Sequence, residues 1–237
     1  MKVAIIPARG GSKRIPGKNI KLFLGRPMIH YSIAAAQSSG LFDRVVVSTD
    51  SEEIAQTARQ AGAETPFLRP AELSDDFTTT VDVLLHGIEA LGGPEIVETI
   101  CCLYATAPFV QGRYLLEGER ILREKKCGSV FSVTTYPFPI FRSLKISASG
   151  RLEMYWPEFE KTRSNDLPEA YHDAGQFYWL DSATLLKTKA IYTKEARPVI
   201  LPRYFVQDID TPEDWQSAEI LYETLQQRGL IGRDQLR

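Results

Sequence analysis

Near the start of the chain stands the sequence Val3-Ala-Ile-Ile-Pro-Ala-Arg-Gly-Gly-Ser-Lys-Arg-Ile-Pro-Gly-Lys-Asn19. Its first four residues are apolar and largely β-branched, which predicts a short buried strand. A glycine-rich loop follows, and an apolar segment with helical spacing begins near Pro27. A strand, a glycine-rich loop and a helix in this order are typical of sites where backbone N–H groups face a phosphate. The stretch therefore predicts an anion-binding loop after the first strand.

The charges around this loop indicate the same class of ligand. Seven cations precede the first acidic residue, Asp43, although the net charge of the whole chain is −2. These cations are Lys2, Arg9, Lys13, Arg14, Lys18, Lys21 and Arg26. A local excess of positive charge in a nearly neutral protein attracts a small, highly charged anion. The alternative is a solvated basic loop, which would not require the glycines.

Two common phosphate-binding motifs do not describe the loop. The dinucleotide pattern G-x-G-x-x-G is absent, because the glycines stand at Gly10, Gly11 and Gly17. The Walker A pattern fails at Ser12, where its first glycine belongs, and at Asn19, which lacks the hydroxyl that binds Mg²⁺ in that motif. The loop does match the pattern A-R-x-x-S-K-R-x-x-x-K-N. It thereby resembles the CMP-sialic acid synthetase family, in which this loop holds the triphosphate of CTP.

The resemblance implies which residues bind the nucleotide. A second matching segment, Arg69-Pro-Ala-Glu-Leu-Ser-Asp75, closes around the cytosine and its ribose in the family. Without the resemblance, a surface salt bridge would explain Arg69 equally well. Thr106 lies in the loop after the fourth predicted strand. The expected nucleotide-binding residues are Ala8, Arg9, Gly10, Gly11, Ser12, Lys13, Arg14, Lys18, Asn19, Arg69 and Thr106.

The rest of the chain alternates short apolar runs with helical segments. We expect strands at residues 3–6, 44–48, 65–68, 99–104, 129–134, 176–180, 198–201 and 205–207. We expect helices at residues 27–40, 52–61, 79–91, 114–126, 182–187 and 212–227. This alternation predicts an α/β fold with a Rossmann-like, mostly parallel sheet and helices on both faces. The resemblance narrows it to the nucleotidyltransferase type.

The alternation breaks between Tyr136 and Asp173, in a stretch rich in aromatic residues with a hairpin-like segment at 144–154. An excursion of this length usually covers a site or forms an interface. In the resembled family the matching segment is an arm that packs on a partner subunit, which implies a homodimer. We therefore expect one cytidylyltransferase domain at 1–237, with an inserted dimerisation arm at about 136–173.

Two carboxylates near the end of the chain are candidate metal ligands. Asp208 and Asp210 are two residues apart, so in an extended segment both would point to one face. Mg²⁺ is commonly held by one or two carboxylates together with substrate phosphates, and the D-x-D pattern also matches the metal motif of the family. Mn²⁺ would fit the same ligands. The alternative is helix capping, which explains Thr211 to Asp214 but not Asp208.

A polar stretch with Arg163, His172 and Gln176 suits a sugar that carries several hydroxyl and amide groups. Tyr104 ends a predicted strand and could equally be a core residue. A histidine beside an aspartate could instead be a general base. The expected sugar-binding residues are Tyr104, Arg142, Arg163, Tyr171, His172, Asp173 and Gln176. The stretch is most similar to the pseudaminic acid cytidylyltransferases in its sequence Asp-Leu-Pro-Glu-Ala-Tyr-His-Asp-Ala-Gly-Gln-Phe-Tyr-Trp179. The resemblance runs from Lys2 to about Leu225.

The activity implied by the resemblance is the reaction of CTP with a nine-carbon sugar acid, pseudaminate, to give the CMP-sugar and pyrophosphate. Arg9, Lys18 and Asp210 would be the catalytic residues. The same chemistry on N-acetylneuraminate, legionaminate or KDO is the first alternative. A nucleotide-sugar-binding module without turnover is the second, since a fold does not guarantee an activity.

Composition excludes several other classes. The chain of 237 residues is 43% hydrophobic and 24% charged, which suits one ordinary globular core. A near-neutral charge gives no support for a nucleic-acid partner, and no apolar run approaches the roughly 20 residues of a membrane span. Cys101, Cys102 and Cys127 are expected to be buried thiols rather than disulfides. Since no signal-peptide pattern is visible either, we expect a cytoplasmic protein.

Overall fold

The structure is a computed structural model that describes residues 1–232. These residues form ten strands and six α-helices. The strands are β1 (Lys2–Pro7), β2 (Leu22–Phe23), β3 (Arg26–Pro27), β4 (Arg44–Ser48), β5 (Thr99–Leu103), β6 (Ser129–Thr135), β7 (Leu144–Ile146), β8 (Leu152–Met154), β9 (Tyr171–Asp181) and β10 (Arg197–Ile200). The helices are α1 (Met28–Ser39), α2 (Glu52–Gln60), α3 (Thr80–Ala90), α4 (Gly112–Lys125), α5 (Ser182–Thr188) and α6 (Pro212–Gln227).

Six of the strands form one central sheet in the order β10-β6-β9-β5-β1-β4. β1 pairs in parallel with β4 and β5, and β6 pairs in parallel with β10. β9 runs antiparallel to both of its neighbours, β5 and β6. It returns directly beside β6 without a crossover helix, and only a crossover would have made the two strands parallel. The predicted mostly parallel sheet is confirmed, with β9 as its one reversed strand.

Helices cover both faces of this sheet, as the sequence predicts. Ile33 of α1, Ala58 of α2 and Leu115 of α4 belong to the core cluster on one face. Leu84 of α3 and Leu185 of α5 belong to the cluster on the other face. Residues 3–6 of strand β1 are fully buried because they meet both clusters, which explains their continuous apolar run.

A third cluster attaches α6 to the segment that follows the glycine-rich loop. Phe23 of β2 makes edge-to-face contacts with Tyr31, Trp215 and Tyr222, at centroid distances of 5.3, 5.6 and 5.7 Å. The hydroxyl of Tyr31 donates to the Phe23 carbonyl at 2.7 Å, and burial raises the pKa of Tyr31 to about 12. Ile209 packs in the same cluster. The cluster therefore places the segment before α6 beside the N-terminal loop.

Two predicted strands are wrong. Residues 65–68 form no strand, and only Glu64 makes an isolated bridge, to Val46. Pro66 lacks an N–H group, which interrupts a ladder beside β4. Residues 205–207 are not a strand either, because Phe205 closes a 3-10 turn with its N–H bonded to the Pro202 carbonyl at 2.9 Å. The six predicted helices are confirmed, with ends that differ by one or two residues.

The excursion from the core occupies residues 136–170 and carries the predicted hairpin as β7 and β8. Tyr171 already pairs with Thr135 in the central sheet, so residues 171–173 of the segment expected at about 136–173 belong to β9. Short 3-10 turns at Ile140–Arg142, Pro157–Phe159 and Ser164–Asp166 complete the segment. Phe138 and Ile146 of the segment are 80% and 75% exposed.

Cys101, Cys102 and Cys127 are buried free thiols, as predicted. Burial raises the pKa of the Cys101 thiol well above its usual value. These thiols therefore contribute apolar packing rather than reactivity. Within residues 1–232, no helix combines the length and the hydropathy that a membrane crossing requires.

Candidate active site

A cavity of about 270 Å³ lies at the carboxyl ends of β1 and β5. Ligands of open α/β sheets bind at this edge. The cavity brings together most of the predicted nucleotide-binding residues with several that were not predicted. Its polar and charged lining residues are Arg9, Ser12, Lys13, Arg14, Lys18, Asn19, Arg69, Thr78, Thr80, Tyr104 and Thr106.

Two predicted nucleotide-binding residues, Ala8 and Gly10, have structural roles here. Ala8 is buried and continues the β1 pairing by donating its N–H to the Ser48 carbonyl at 2.9 Å. The Gly10 N–H donates to Asp50 Oδ1 at 2.8 Å. A Cβ at Gly10 would lie 3.2 Å from the Ser51 Cβ, so the loop approaches its own protein closely at this point. Neither these two residues nor Gly11 line the cavity.

Asn19 and Gly17 fix the shape of the loop. The Asn19 side chain is buried and donates to the Arg9 carbonyl at 2.9 Å, which ties the two ends of the loop together. Gly17 has a φ of 62°, the left-handed region that glycine adopts without strain. Asn19 therefore stabilises the loop from the position where the Walker A motif has a metal-binding hydroxyl.

The predicted strand, glycine-rich loop and helix are present, but the helix does not follow the loop directly. The β2–β3 ribbon separates the loop from α1, so the helix begins only at Met28. Its first N–H groups are already bonded, Met28 to the Lys21 carbonyl at 3.0 Å and Ile29 to the Asn19 carbonyl at 2.8 Å. These two N–H groups of α1 are therefore already satisfied, whereas five cationic side chains line the cavity.

Two aspartates pair with the loop cations. Asp76 accepts from Arg9 at 2.8 Å and also from Lys13, and these bonds hold the pKa of its carboxyl below the usual range, with Lys13 the larger influence. Asp210 pairs with Arg14 at 2.7 Å and with Lys18 at 3.2 Å. Lys18 also donates to the Ile209 carbonyl at 2.8 Å. The cation-rich loop is thus neutralised from two sides.

Arg69 is buried, so the alternative of a surface salt bridge is wrong. Its side chain is 3% exposed and donates through Nε to the Ser74 hydroxyl at 3.1 Å. Burial lowers the pKa of its guanidinium, while Asp50, at 3.9 Å, acts in the opposite direction. A buried cation on the cavity wall is a fixed donor for a ligand.

The segment before α6 combines a helix cap with the two candidate metal ligands. Thr211 and Asp214 form a capping box, as the capping alternative predicted for these residues. Asp208 is exposed, and the pKa of its carboxyl is raised by partial desolvation and then by the neighbouring Asp210 carboxylate. Residues 1–232 contain no cluster of three or more acidic, histidine or cysteine ligands. Two carboxylates beside a phosphate site suit a hard cation that completes its shell with substrate oxygens and water.

A second cavity, of about 360 Å³, adjoins the first and shares Thr80 and Tyr104 with it. Its other polar and charged lining residues are Thr79, Asp173, Tyr178, Lys189 and Tyr192. Tyr104 packs on Tyr178 at 5.4 Å, and its hydroxyl lies 3.3 Å from Thr80 Oγ1. Tyr104 is therefore a core residue and a cavity residue at once.

Apart from Tyr104 and Asp173, the predicted sugar-binding residues line neither cavity. Gln176 is buried and donates to the Phe205 carbonyl, and the His172 ring packs at a tilt against Tyr136 at 4.9 Å. The Tyr171 hydroxyl donates a hydrogen bond to the Glu169 carboxylate. In the excursion, Arg142 donates to the Thr162 carbonyl and Arg163 is 80% exposed beside Asp166. Of the predicted sugar set, the structure brings only Tyr104 and Asp173 to the cavities.

Sequence reasoning missed several residues of the two cavities. Thr78 and Thr80 belong to the threonine run at 78–80, which closely follows the matching segment at 69–75, so a signal for them existed. Tyr178 and Tyr192 carried no such signal, because they reach the cavity only through the reversal of β9 and the turn after α5.

A cation-lined cavity at the carboxyl edge of such a sheet is typical of α/β nucleotide-binding proteins. The chain belongs to the cytidylyltransferase family, whose model matches residues 3–231. It is therefore a nucleotidyltransferase.

Individual relatives agree with this assignment. The chain is 42% identical to a pseudaminic acid cytidylyltransferase of Campylobacter jejuni subsp. jejuni serotype O:2, over 93% of this chain and 96% of that protein. It is 32% identical to a CMP-N,N'-diacetyllegionaminic acid synthase of Legionella pneumophila, over 97% and 99% of the two chains. A CMP:2-keto-3-deoxy-manno-octonic acid synthetase solved with CTP shares the fold, with a TM-score of 0.69, 16% identity, and coverage of 94% and 98%. The predicted fold class is confirmed.

Proposed function

We propose that this protein transfers the cytidylyl group of CTP to pseudaminate and releases pyrophosphate. One observation carries the proposal: a cavity lined by five cations shares Thr80 and Tyr104 with a second cavity, which is lined by tyrosines and a carboxylate. The first suits a triphosphate and the second suits a polar sugar with apolar faces. The relative at 42% identity bears the name of this activity.

In the proposed reaction the anomeric hydroxyl of the sugar acid attacks the α-phosphorus of CTP. A new P–O bond forms to the sugar, the bond between the α-phosphorus and the bridging oxygen breaks, and pyrophosphate leaves as the hydroxyl loses its proton. The protein contributes by alignment of the two substrates and by stabilisation of the charge on the phosphate oxygens. We assign this stabilisation to Arg9 and Lys18, with Lys13, Arg14 and Arg69 as further nucleotide contacts.

This assignment requires the loop cations to exchange partners. Arg9 and Lys13 would move from Asp76 to the triphosphate, and Arg14 and Lys18 would move from Asp210. The exchange conserves the number of ion pairs, because each phosphate oxygen replaces a carboxylate oxygen. It also frees the Asp210 carboxylate at the moment when the nucleotide arrives.

We assign the freed Asp210 and its neighbour Asp208 to a divalent metal ion, Mg²⁺ or Mn²⁺. The donor set fits, because both groups are carboxylates and the remaining ligands can come from phosphate and water. Such an ion, when bound, supplies Lewis-acid stabilisation of the phosphate charge. Asp208 and Asp210 would hold and orient it.

The sugar would occupy the second cavity. Tyr104 and Asp173 remain from the predicted set, and Tyr178 and Tyr192 join them. Arg142 and Arg163 lie on the excursion, so a role in sugar binding would require this arm to reach the site of a partner subunit. We accordingly propose a cytoplasmic homodimer of single-domain subunits, joined through the arm.

The test is pyrophosphate release from CTP with a panel of sugar acids. We expect kcat/KM for pseudaminate to exceed that for N-acetylneuraminate by about 100-fold, since the wrong acid leaves buried polar groups unpaired. Equal turnover of the two acids would contradict pseudaminate and favour the broader sialic acid alternative. Binding of CTP and sugar acid without pyrophosphate release would favour the binding module.

A further inference from the structure

Asp173 stands at an irregularity in β9 that brings it to the wall of the second cavity. On β6 the pairing advances two residues, from Phe131 to Val133, while on β9 it advances five, from Tyr178 to Asp173. Gly175 lies within this bulge, with a φ of 61°. Bulges redirect side chains and occur frequently beside active sites. The bulge therefore sets the position of Asp173 independently of the regular pleat.

Three donors from the protein hold the Asp173 carboxylate. The Gly175 N–H donates to Oδ1 at 2.8 Å, and the Tyr178 hydroxyl donates to Oδ2 at 2.7 Å. The Tyr192 hydroxyl also donates to Oδ2, and its ring packs edge-on against Phe131 at 5.1 Å. A carboxylate offers about four acceptor sites, so Oδ1 retains one for a ligand in the cavity. The group is fixed and ready to accept one more hydrogen bond.

The residues that both cavities share determine which end of the sugar acid meets this carboxylate. The anomeric hydroxyl must reach the α-phosphate in the first cavity, and it shares a carbon atom with the carboxylate of the sugar acid. Both groups would therefore lie toward Thr80 and Tyr104, the two residues that line both cavities. The rest of the sugar would extend into the second cavity, which Asp173 and Tyr192 line. Repulsion between two carboxylates favours the same orientation.

We propose that Asp173 is a specificity-determining residue that accepts a hydrogen bond from an acylamino N–H in the tail of the sugar acid. The inference rests on the proposed function and adds to it the orientation of the sugar and the group that is recognised. A charged acceptor held by three donors discriminates well between substrates, because a substrate without the N–H leaves the remaining acceptor site of Oδ1 without a donor. Tyr178 and Tyr192 are positioning residues in this arrangement, since they act through Asp173.

The test measures the wild-type protein and a variant with two substrates each, pseudaminate and an analogue of it. In the analogue an acyloxy group replaces the acylamino group, which keeps the shape and removes the N–H donor. With the wild-type protein we expect kcat/KM for the analogue to be about 10- to 100-fold lower than for pseudaminate. With Asp173→Ala we expect this ratio to fall to within about threefold of unity. Asp173→Asn should give an intermediate ratio, and it keeps the test valid if the alanine variant does not fold.

Tyr192→Phe distinguishes recognition of the acylamino group by Asp173 from the positioning of Asp173 by Tyr192. It removes one donor to the carboxylate but leaves the acceptor in place, so some activity is lost while the preference for the acylamino group persists. Glu195→Gln removes an exposed charge from the same turn and controls for electrostatics. A preference that survives in Asp173→Ala, or is absent from the wild type although pseudaminate turns over, would overturn the role of Asp173 alone. A wild-type protein that turns over no sugar acid would overturn the proposed function as well.

Discussion

At the scale of single residues, Asp76 occupies the cations that a triphosphate needs. It pairs with Arg9 and Lys13, which both line the first cavity. In the same turn Arg9 donates to the Asp75 carbonyl at 2.8 Å, and the Asp75 carboxylate accepts from the N–H groups of Phe77 and Thr78. Asp76 is thus presented by a formed turn rather than by a loose loop. Nucleotide binding must break these pairs.

Asp76→Asn should therefore lower the KM for CTP, by about three- to tenfold, because the triphosphate no longer competes with a carboxylate. The measurement is the dependence of pyrophosphate release on CTP concentration. Since Lys13 and Arg9 lower the pKa of Asp76, the stabilisation by these pairs is present above the unfolded pKa and is lost only in strong acid. The ratio of the two KM values should accordingly stay constant between about pH 6 and pH 9.

Glu72→Gln is the matched control, because it removes one exposed charge from the same loop without touching either cation. A rise in KM for Asp76→Asn would mean that Asp76 orients Arg9 and Lys13 for the nucleotide instead of competing with it.

At the scale of elements, the segment between β10 and α6 serves two purposes with neighbouring residues. Thr211 accepts from the Asp214 N–H at 3.2 Å and caps the helix, while the Asp208 and Asp210 side chains take no part in the box. The aromatic cluster of α6 holds the whole segment against the N-terminal loop. Capping and proposed metal binding can be separated because different side chains carry them.

Asp210→Asn should abolish metal-dependent turnover, because charge rather than shape holds the ion. Thr211→Ala should instead lower the free energy of unfolding by about 1 kcal/mol, the usual cost of a lost N-cap, and leave the metal titration unchanged. The measurements are activity against Mg²⁺ concentration and chemical denaturation of both variants. An unchanged titration for Asp210→Asn would remove the metal assignment and leave capping as the role of the segment.

At the scale of the whole molecule, the excursion at 136–170 exposes apolar side chains that its own fold does not cover. Phe141 packs on Trp156 and Phe159 inside it, whereas Phe138 and Ile146 face outward. Exposed apolar groups of this density on one arm favour a second protein surface over water. A second copy of the chain is the proposed occupant.

We expect a dimer by light scattering at micromolar concentration. Ile146→Asp should shift the mass toward that of the monomer, because a charge buried in an apolar interface is costly. Ile220→Asp is the control, since this residue of α6 is also exposed, at 63%, but lies outside the arm. Monomeric wild-type protein would contradict the interface, and so would equal dissociation of both variants.

The sequence by itself determined the elements and the chemistry of the loop. Apolar runs and helix ends are local signals, so β1, β4 and all six helices could be placed within a residue or two. The cations from Arg9 to Lys18 and the pair Asp208 and Asp210 were visible as charge patterns of fixed spacing. Local pattern and charge depend only on neighbours along the chain, which is why they could be read before the fold was known.

The tertiary structure decided which residues meet. The reversal of β9 brought Asp173 and Tyr178 to the second cavity, whereas the Gln176 side chain turned inward to the Phe205 carbonyl. The β2–β3 ribbon removed the helix N-terminus from the phosphate site, and Asp76 came to the loop from more than 60 residues away. These outcomes depend on strand direction, a bulge and long-range ion pairs. Such interactions depend on packing between distant segments, which no local pattern in the sequence encodes.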